Sequence, residues 1–310
     1  RLDHAVFESL ADVVTPLAMV KTSVDDRVVL RLRGGLLPIR NPRRPLAEAG
    51  SIFHLAARDA APEGNAPLPD AYLVVEKVDG HLLECRGVGA LPNLAGDDAA
   101  DHWVAVGVRS LCPATEFALT MAGSPTDAPL AGCDIWLSDT RDVPGTCLGR
   151  TDERGQIVIA AANAVRWLHV RIGAVVLEQF PVVPGWRTRQ PVTTHISAAT
   201  LATAAALSDC HNDLVELSAL RSAYLARCKS RERAGRTAEA QTLREEGQKV
   251  MQARVPQLRQ RISERRQRVE RLFPDQASSA ETQWETLSHA LDELLKSMPL
   301  DVAGEEGNHE

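Results

Sequence analysis

Apolar and polar positions alternate with a period of two along residues 1–196. In the segment 27–34, Val28, Leu30 and Leu32 occupy alternate positions, which is the pattern of a strand with one buried face. The same alternation predicts further strands in the segments 51–57, 71–86, 102–109, 115–121, 132–138, 155–161, 165–172 and 174–180. This part of the chain is therefore predicted to be β-rich.

Turn-forming residues separate the predicted strands at short intervals. The clearest turn is Asp79-Gly80, which lies between two apolar-rich runs within 71–86 and suits the backbone angles of a tight hairpin. Short strands with frequent Pro, Gly, Asp and Asn between them are typical of small barrels and sandwiches. A linker-like stretch at 122–125 favours a boundary between two β-domains.

After Pro191 the pattern changes to a helical period. Two long runs carry seam residues at alternating spacings of four and three. The first comprises Cys210, Leu214, Leu217, Arg221, Tyr224 and Cys228, and the second comprises Met251, Val255, Leu258, Ile262, Arg265, Val269 and Leu272. Gly235 separates these runs, so we expect an antiparallel α-helical hairpin of the coiled-coil type. Pro256 predicts a kink or a restart in the second helix, and a third amphipathic helix is predicted at 278–297.

These patterns predict an α+β multidomain fold. Its parts are a β-rich barrel or sandwich domain at 1–123, a second β-domain at 124–196, the helical hairpin with its third helix at 197–298, and an acidic disordered tail at 299–310.

Four stretches of the second β-domain carry the motifs of a recurring module. They are PLAGCDIWL at 129–137, GRTDERGQIVI at 149–159, VRWLHVRIG at 165–173 and VVPG at 182–185. Thr151 and Gly155 match the Thr-x-x-x-Gly turn of that module. The segment 129–185 thus resembles a carboxypeptidase-regulatory-like, transthyretin-type β-sandwich. The resemblance implies a spacer or adhesion module that carries no catalytic residues.

Two further phrases suggest a wider resemblance. They are GSIFHLAARD at 50–59 and DAYLVVEKVDGHLLECRG at 70–87. With the β-module, they make the whole chain loosely similar to multidomain proteins of planctomycete-type bacteria. Those proteins combine a β-rich N-terminal part with a helical C-terminal part. This resemblance implies no activity.

The net charge of −6 conceals an uneven distribution. Residues 1–218 carry a net charge of −7, residues 219–273 carry +9 and residues 274–310 carry −8. The basic residues are densest in RQRISERRQRVER at 259–271, and the candidate partner-binding residues are Arg259, Arg261, Arg265, Arg266, Arg268 and Arg271. Such a stretch suits an anionic partner, but the solvated face of a coiled coil carries similar charge. The acidic segment from 274 onward can supply carboxylates within the chain or from a neighbouring copy.

We weigh three classes of function. The leading hypothesis is a non-catalytic structural or assembly protein, with β-domains as spacers and the helical hairpin as an element that binds a protein partner or associates with itself. The first alternative is a polyanion or nucleic-acid binding module through 259–271. The scarcity of aromatic residues there argues against single-strand binding. The second alternative is an enzyme whose site lies across the β-domains.

No recognisable chemistry favours the enzyme hypothesis. The sequence has no GxSxG motif and no phosphate-binding glycine loop, and we predict no cofactor, no metal site and no small-molecule substrate. His169 lies in a predicted strand, where we expect a structural role. Cys210-His211 offers two metal ligands, but adjacent helical residues point in different directions and do not converge on one ion.

The six cysteines and the lengths of the apolar runs are relevant to the cellular compartment of the protein. No CxxC pair is present, and Cys133 with Cys147 is the candidate disulfide. No apolar run is long enough for a membrane-spanning helix. Because the chain begins at Arg1, we expect a processed product or a piece of a longer protein whose targeting segment can be missing. The module resemblance points to the cell envelope or an extracellular site, and the cytoplasm stays open.

Overall fold

A computed structural model gives the arrangement of most of the chain. It describes residues 15–24, 27–34, 45–57, 67–92, 94, 103–121, 128–143 and 145–296, with the backbone alone at 67–70 and 275–279. The predicted acidic tail at 299–310 lies outside the described residues.

Six strands form a closed barrel. They are β1 (Leu17–Val24), β2 (Arg27–Leu32), β3 (Ile52–Ala57), β4 (Pro67–Asp79), β5 (Leu82–Gly89) and β6 (Trp103–Val108). Their order around the barrel is β1-β2-β5-β4-β3-β6, and all neighbours are antiparallel. The alternation seen in β2 puts Val28, Leu30 and Leu32 in the barrel core, so one face of this strand is buried as the pattern predicts.

The strands β4 and β5 are joined by the predicted hairpin. Asp79 pairs with Leu82, and Gly80 adopts a φ of 58° in the turn between them. A residue with a side chain is disfavoured at this positive φ, which is why glycine stands here.

Seven further strands form two sheets. They are β7 (Ala114–Met121), β8 (Asp134–Ser138), β9 (Thr146–Arg150), β10 (Gln156–Ala160), β11 (Arg166–Ile172), β12 (Val175–Val182) and β13 (Arg189–Thr194). The strand orders are β10-β7-β13 and β12-β11-β8-β9. The strand β7 pairs antiparallel with β10 and parallel with β13, so it shares a sheet with strands that lie beyond the predicted domain boundary between residues 123 and 124. The predicted domain ranges stay predictions.

Three helices complete the described fold. They are α1 (Ala198–Arg233), α2 (Thr237–Leu272) and α3 (Pro274–Lys296). The Ser197 side chain caps α1 by accepting a hydrogen bond from the Thr200 backbone N–H at 3.1 Å. Gly235 has a φ of 72° in the turn between α1 and α2. The α+β prediction is therefore confirmed in its coarse form, a β-rich part with a barrel and further sheets followed by helices.

The helix α2 continues through Pro256. Of the kink and the restart predicted as alternatives at this residue, the restart is wrong and the kink stays a prediction. Proline in a helix interior costs about 3 kcal/mol, whereas each large apolar side chain that becomes buried contributes about 1.5–3 kcal/mol. Val255 and Leu258, which flank Pro256, are both buried in the core of the helical bundle, and this burial offsets the cost.

The chain divides into two compact units. One comprises residues 1–171 and 178–195, and the other comprises residues 172–177 and 196–310. The second unit contains the helices, whose shared core is formed by Leu207, Cys210, Leu214, Leu217, Met251, Val255, Leu258, Ile262, Val269, Ala280, Trp284, Leu287 and Leu291. Among the described residues, no helix is long and apolar enough to cross a membrane.

Candidate functional site

The six candidate arginines all lie in the C-terminal half of α2. Leu258, Ile262 and Val269 form the buried stripe of this segment. Arg265 falls on the same face as this stripe, and the other five arginines occupy positions beside or opposite it. The sequence produces this arrangement because apolar residues at spacings of four and seven fall on one face of a helix. What the guanidinium groups contact decides whether they are available to a partner.

Two of the arginines pair with carboxylates of α1. Arg261 Nη1 lies 3.0 Å from Asp213 Oδ2, and Arg265 Nη2 lies 3.4 Å from Asp209 Oδ2. The residue number rises along α2 while it falls along α1, so the two helices run antiparallel. The arginines and the aspartates are both four residues apart, and residues at that spacing share a helix face.

Two other arginines pair with carboxylates of α3. Arg259 forms an ion pair with Asp292, and Arg266 Nη2 lies 2.5 Å from Glu281 Oε1. Arg266 also donates from Nε to Glu270 on its own helix at 2.8 Å. The acidic C-terminal segment therefore supplies carboxylates to the arginine-rich helix, and α3 runs antiparallel to α2.

Arg268 and Arg271 differ from the other four. Both are exposed, and neither has an ion-pair partner within the part of the chain that the structure describes. They flank the buried Val269 on the surface of α2. Four of the six predicted residues are thus held in contacts between helices, and two face solvent.

Cys210 lies beside the same ion pairs. Its side chain is fully buried, and Arg265 Nη1 donates to its Sγ at 3.5 Å. Burial raises the pKa of the Cys210 thiol, while the guanidinium acts in the opposite direction. Within the described residues, no three His, Cys, Asp or Glu side chains come close enough to hold a metal ion.

A Ser–His–Gln hydrogen-bond network lies in the first unit. Ser138 Oγ is 2.8 Å from His169 Nε2, and Gln179 Nε2 is 3.1 Å from His169 Nδ1. Ser138 donates to the Thr140 carbonyl, so His169 Nε2–H donates to Ser138 and Nδ1 accepts from Gln179. Burial, together with Arg171, lowers the pKa of His169 and favours this neutral form.

The network differs from a hydrolytic triad in two respects. The Ser138 proton is already donated to a carbonyl, and the third group is an amide, which cannot stabilise an imidazolium as a carboxylate does. Ser138 is 6% exposed and His169 is 1% exposed, so a substrate would have no access to the hydroxyl. The arrangement suits a structural role in which each polar atom is satisfied.

The candidate disulfide residues are both free thiols in this structure. Cys133 is buried beside Thr151, whose Oγ1 accepts from the Cys133 N–H at 3.0 Å, and burial raises the pKa of its thiol to about 11. Cys147 is exposed on β9 and pairs with Trp136. This register separates the two cysteines by about 10 Å along the strand, beyond the Cα separation of a disulfide. The disulfide stays a prediction, and the register does not favour it.

The sequence reasoning did not identify Asp209, Asp213, Glu281 and Asp292 as partners of the arginines. A signal for the first two was present, because Asp209 and Asp213 have the same four-residue spacing as Arg261 and Arg265. The pairing with α3 had no comparable signal, since Asp292 and Glu281 are eleven residues apart whereas Arg259 and Arg266 are seven apart.

The chain was also compared with known proteins. No family model matches it, and neither a curated protein nor a solved structure shows significant similarity to it. The contacts described above are therefore the basis for a functional proposal.

Proposed function

We propose that this protein is a non-catalytic structural or assembly protein that acts through protein–protein contacts. The observation that carries the proposal is that Arg259, Arg261, Arg265 and Arg266 all pair with carboxylates of neighbouring helices. Guanidinium groups engaged in this way direct helix–helix association, because each pair favours one partner face and one register.

The helices provide the association element of this proposal. At about 1.5 Å per residue, α1 and α2 each have a length of about 54 Å. Apolar seams at spacings of three and four, with ion pairs beside them, support a coiled-coil-like hairpin. Such a hairpin offers a long and regular surface to a partner helix.

The β-rich part acts as the spacer in this proposal. A three-stranded and a four-stranded sheet, together with the turn glycine Gly155 at a φ of 69°, support a transthyretin-type sandwich. Its strand β7 precedes the range 124–196 that the sequence predicts for this module. Neither the sheets nor the barrel need a catalytic group to serve as a spacer or docking surface.

Light scattering after size-exclusion chromatography tests the assembly function. We expect the mass to exceed that of one chain, 33.6 kDa, and to fall on dilution. A chain that stays at this mass at every concentration, and that purifies without a partner, would contradict the proposal.

Binding of an oligonucleotide tests the polyanion alternative. Of the six candidate arginines, Arg268 and Arg271 are the ones available for such binding, so the double variant Arg268→Glu/Arg271→Glu is the informative one. The double variant Arg227→Glu/Arg233→Glu, which changes two exposed arginines of α1, is the matched control. Under the assembly proposal, anisotropy of a labelled oligonucleotide stays unchanged. Tight binding that weakens steeply with salt and is lost in the double variant would favour the alternative instead.

A further inference from the structure

The surface of α2 carries a groove beside α3. The groove encloses about 440 Å³, and residues between Val255 and Gln267 line it along α2, together with Leu295 of α3. Because α3 runs antiparallel to α2, Leu295 lies near the Val255 end of the groove. Pro256, Ser263 and Gln267 are exposed, so no described part of the chain covers this surface.

The lining of the groove changes in character along its length. Val255, Pro256 and Leu295 make one end apolar, whereas Ser263 and Gln267 bring a hydroxyl and a side-chain amide toward the other end. A hydroxyl and an amide both donate and accept hydrogen bonds, as do the N–H and C=O groups of an extended peptide, which need partners where water is displaced. The groove therefore suits an extended peptide whose first residues are apolar.

The segment 297–310 begins directly after α3, next to the apolar end of the groove. Met298, Leu300 and Val302 occupy alternate positions, so in an extended chain their side chains point to the same side. Pro299 disfavours a helical conformation at Met298, which favours an extended chain after the helix. The sequence of this segment thus suits a peptide with one apolar side.

The distal part of the segment is acidic. The segment contains no Lys or Arg, and its acidic residues are Asp301, Glu305, Glu306 and Glu310. On α2, Arg271 follows Gln267 by four residues and so continues the face that carries the groove. Arg268 and Arg271 are exposed, and neither has an ion-pair partner among the described residues. The acidic residues of the segment complement these two guanidinium groups in charge.

The length of the segment matches the distance to these arginines. Pro256 and Arg271 are fifteen residues apart, which is about 22 Å along a helix. The eight residue steps from 297 to 305 cover about 26 Å in an extended chain. A segment that starts beside Leu295 and follows the groove therefore brings Glu305 to the level of Arg271.

We propose that the segment 297–310 binds in the groove on α2 of its own chain as an extended peptide. Its apolar residues contact the apolar end, and Glu305 and Glu306 pair with Arg268 and Arg271. The own chain is the favoured source, because the segment begins at the groove and its effective concentration there is high. The proposal departs from the disorder that composition predicts for 299–310, and it goes beyond the assembly function. The bound segment competes with any anionic partner for the two arginines.

Disulfide trapping in the full chain tests this arrangement. The variant Ser263→Cys/Leu300→Cys places one thiol in the groove and one in the segment. The matched control is Thr286→Cys/Leu300→Cys, because Thr286 is exposed on α3 and does not line the groove. Thr286 lies about 15 Å along the helix from Lys296, so an unbound segment reaches both positions. In both proteins Cys112 and Cys147 are changed to Ser, which leaves only buried native cysteines.

Mass spectrometry after oxidation in a glutathione buffer measures the rate of linkage within one chain. We expect the groove variant to link at least about tenfold faster than the control, because binding holds its two thiols close together. Equal rates, or a faster control, would show that the segment does not occupy the groove. A link between two chains would assign the groove to the segment of a second copy and overturn the proposal in this form.

Charge exchange tests the acidic part of the contact. Arg268→Glu/Arg271→Glu, added to the groove variant, should lower the rate of linkage toward that of the control. Adding Glu305→Arg/Glu306→Arg to the same protein should restore it, because the pairs are then re-formed with opposite sign. A rate that the arginine substitutions leave unchanged, or that the second pair of substitutions does not restore, would overturn the pairing of Glu305 and Glu306 with these arginines.

Discussion

The β-barrel and the helical bundle bury their side chains in different ways. The barrel core consists of alternate residues from six strands, with Phe53, Leu55 and Leu73 fully inaccessible to solvent. In the bundle each helix buries one stripe, and ion pairs such as Arg261–Asp213 lie at its margin. Ion pairs of the barrel, such as Lys77–Glu84, lie on its exposed surface, whereas ion pairs of the bundle border its core, and this difference can be tested.

The largest expected effects come from truncating a core side chain in each region. Phe53→Ala in the barrel and Trp284→Ala in the bundle should each cost about 3–5 kcal/mol of unfolding free energy, because large buried side chains leave cavities. Phe53 is 0% exposed and Trp284 is 1% exposed. Denaturant unfolding followed by far-ultraviolet circular dichroism should show that Trp284→Ala lowers the denaturant concentration at the midpoint of the helical transition. A change below about 1 kcal/mol for Trp284→Ala would mean that α3 is not packed as described.

Alanine substitutions at two glycines distinguish the cost of a steric clash from the cost of a positive φ. At Gly155, with a φ of 69°, an added Cβ would lie 2.4 Å from the Leu119 carbonyl oxygen, whereas at Gly235, with a φ of 72°, it would meet nothing within 4 Å. Gly155→Ala should therefore cost about 2–5 kcal/mol and Gly235→Ala about 1–2 kcal/mol. Midpoints of chemical unfolding measure both. Equal losses of unfolding free energy would show that the backbone around Gly155 moves to accommodate the added methyl group.

The buried His169 should make the β-rich part sensitive to acid. Its pKa is lowered in the folded state, mainly by burial, so the folded state binds a proton less readily than the unfolded state. The stability that neutral His169 contributes is fully present above the pKa of the unfolded state, near 6.5. It is lost as the pH falls through the lower pKa of the folded state.

The variant His169→Gln isolates this effect, since glutamine keeps hydrogen-bonding capacity and does not titrate. We expect the melting temperature of the wild type to fall more steeply between about pH 7 and pH 4 than that of the variant. Parallel slopes in the two proteins would remove His169 as a source of acid sensitivity.

The smallest expected effects come from the ion pairs of the bundle. Arg261→Ala removes a pair with the half-buried Asp213, and Arg268→Ala removes a solvent-facing guanidinium on the same helix. The first should cost about 0.2–1 kcal/mol and the second almost nothing. In 1 M salt the difference should shrink, because screening weakens exposed pairs. A difference that persists in salt would indicate that packing, not charge, carries the effect of Arg261.

Much of the fold could be predicted from local patterns. The alternation around Val28, the Asp79-Gly80 turn and the helical spacings of α1 and α2 each depend on residues close together in the chain. The strands β1, β9 and β13 were not predicted. In β9 all residues but one are exposed, so it lacks the alternation that marks a strand. Pro191 lies within β13, where proline normally argues against a strand.

The candidate site was predictable only in part. The arginines of 259–271 stand out by composition, but composition does not reveal that Asp209 and Asp292 face them. Those contacts depend on how the helices align over long separations in the chain, and that alignment is set by packing of the apolar stripes together with the ion pairs beside them. The continuation of α2 through Pro256 has the same origin, since tertiary burial outweighs a local preference.

The sequence by itself determined the α+β class, the positions of the helices and the uneven charge of this protein, because these follow from residue type and local period. Only the tertiary structure decided that β7 joins β10 and β13, that Ser138 and Gln179 satisfy His169, and that four arginines are paired between helices. These features require residues far apart in the chain to meet. Their pairing is decided by which apolar surfaces pack together, and in the bundle the ion pairs beside the core favour one register of that packing.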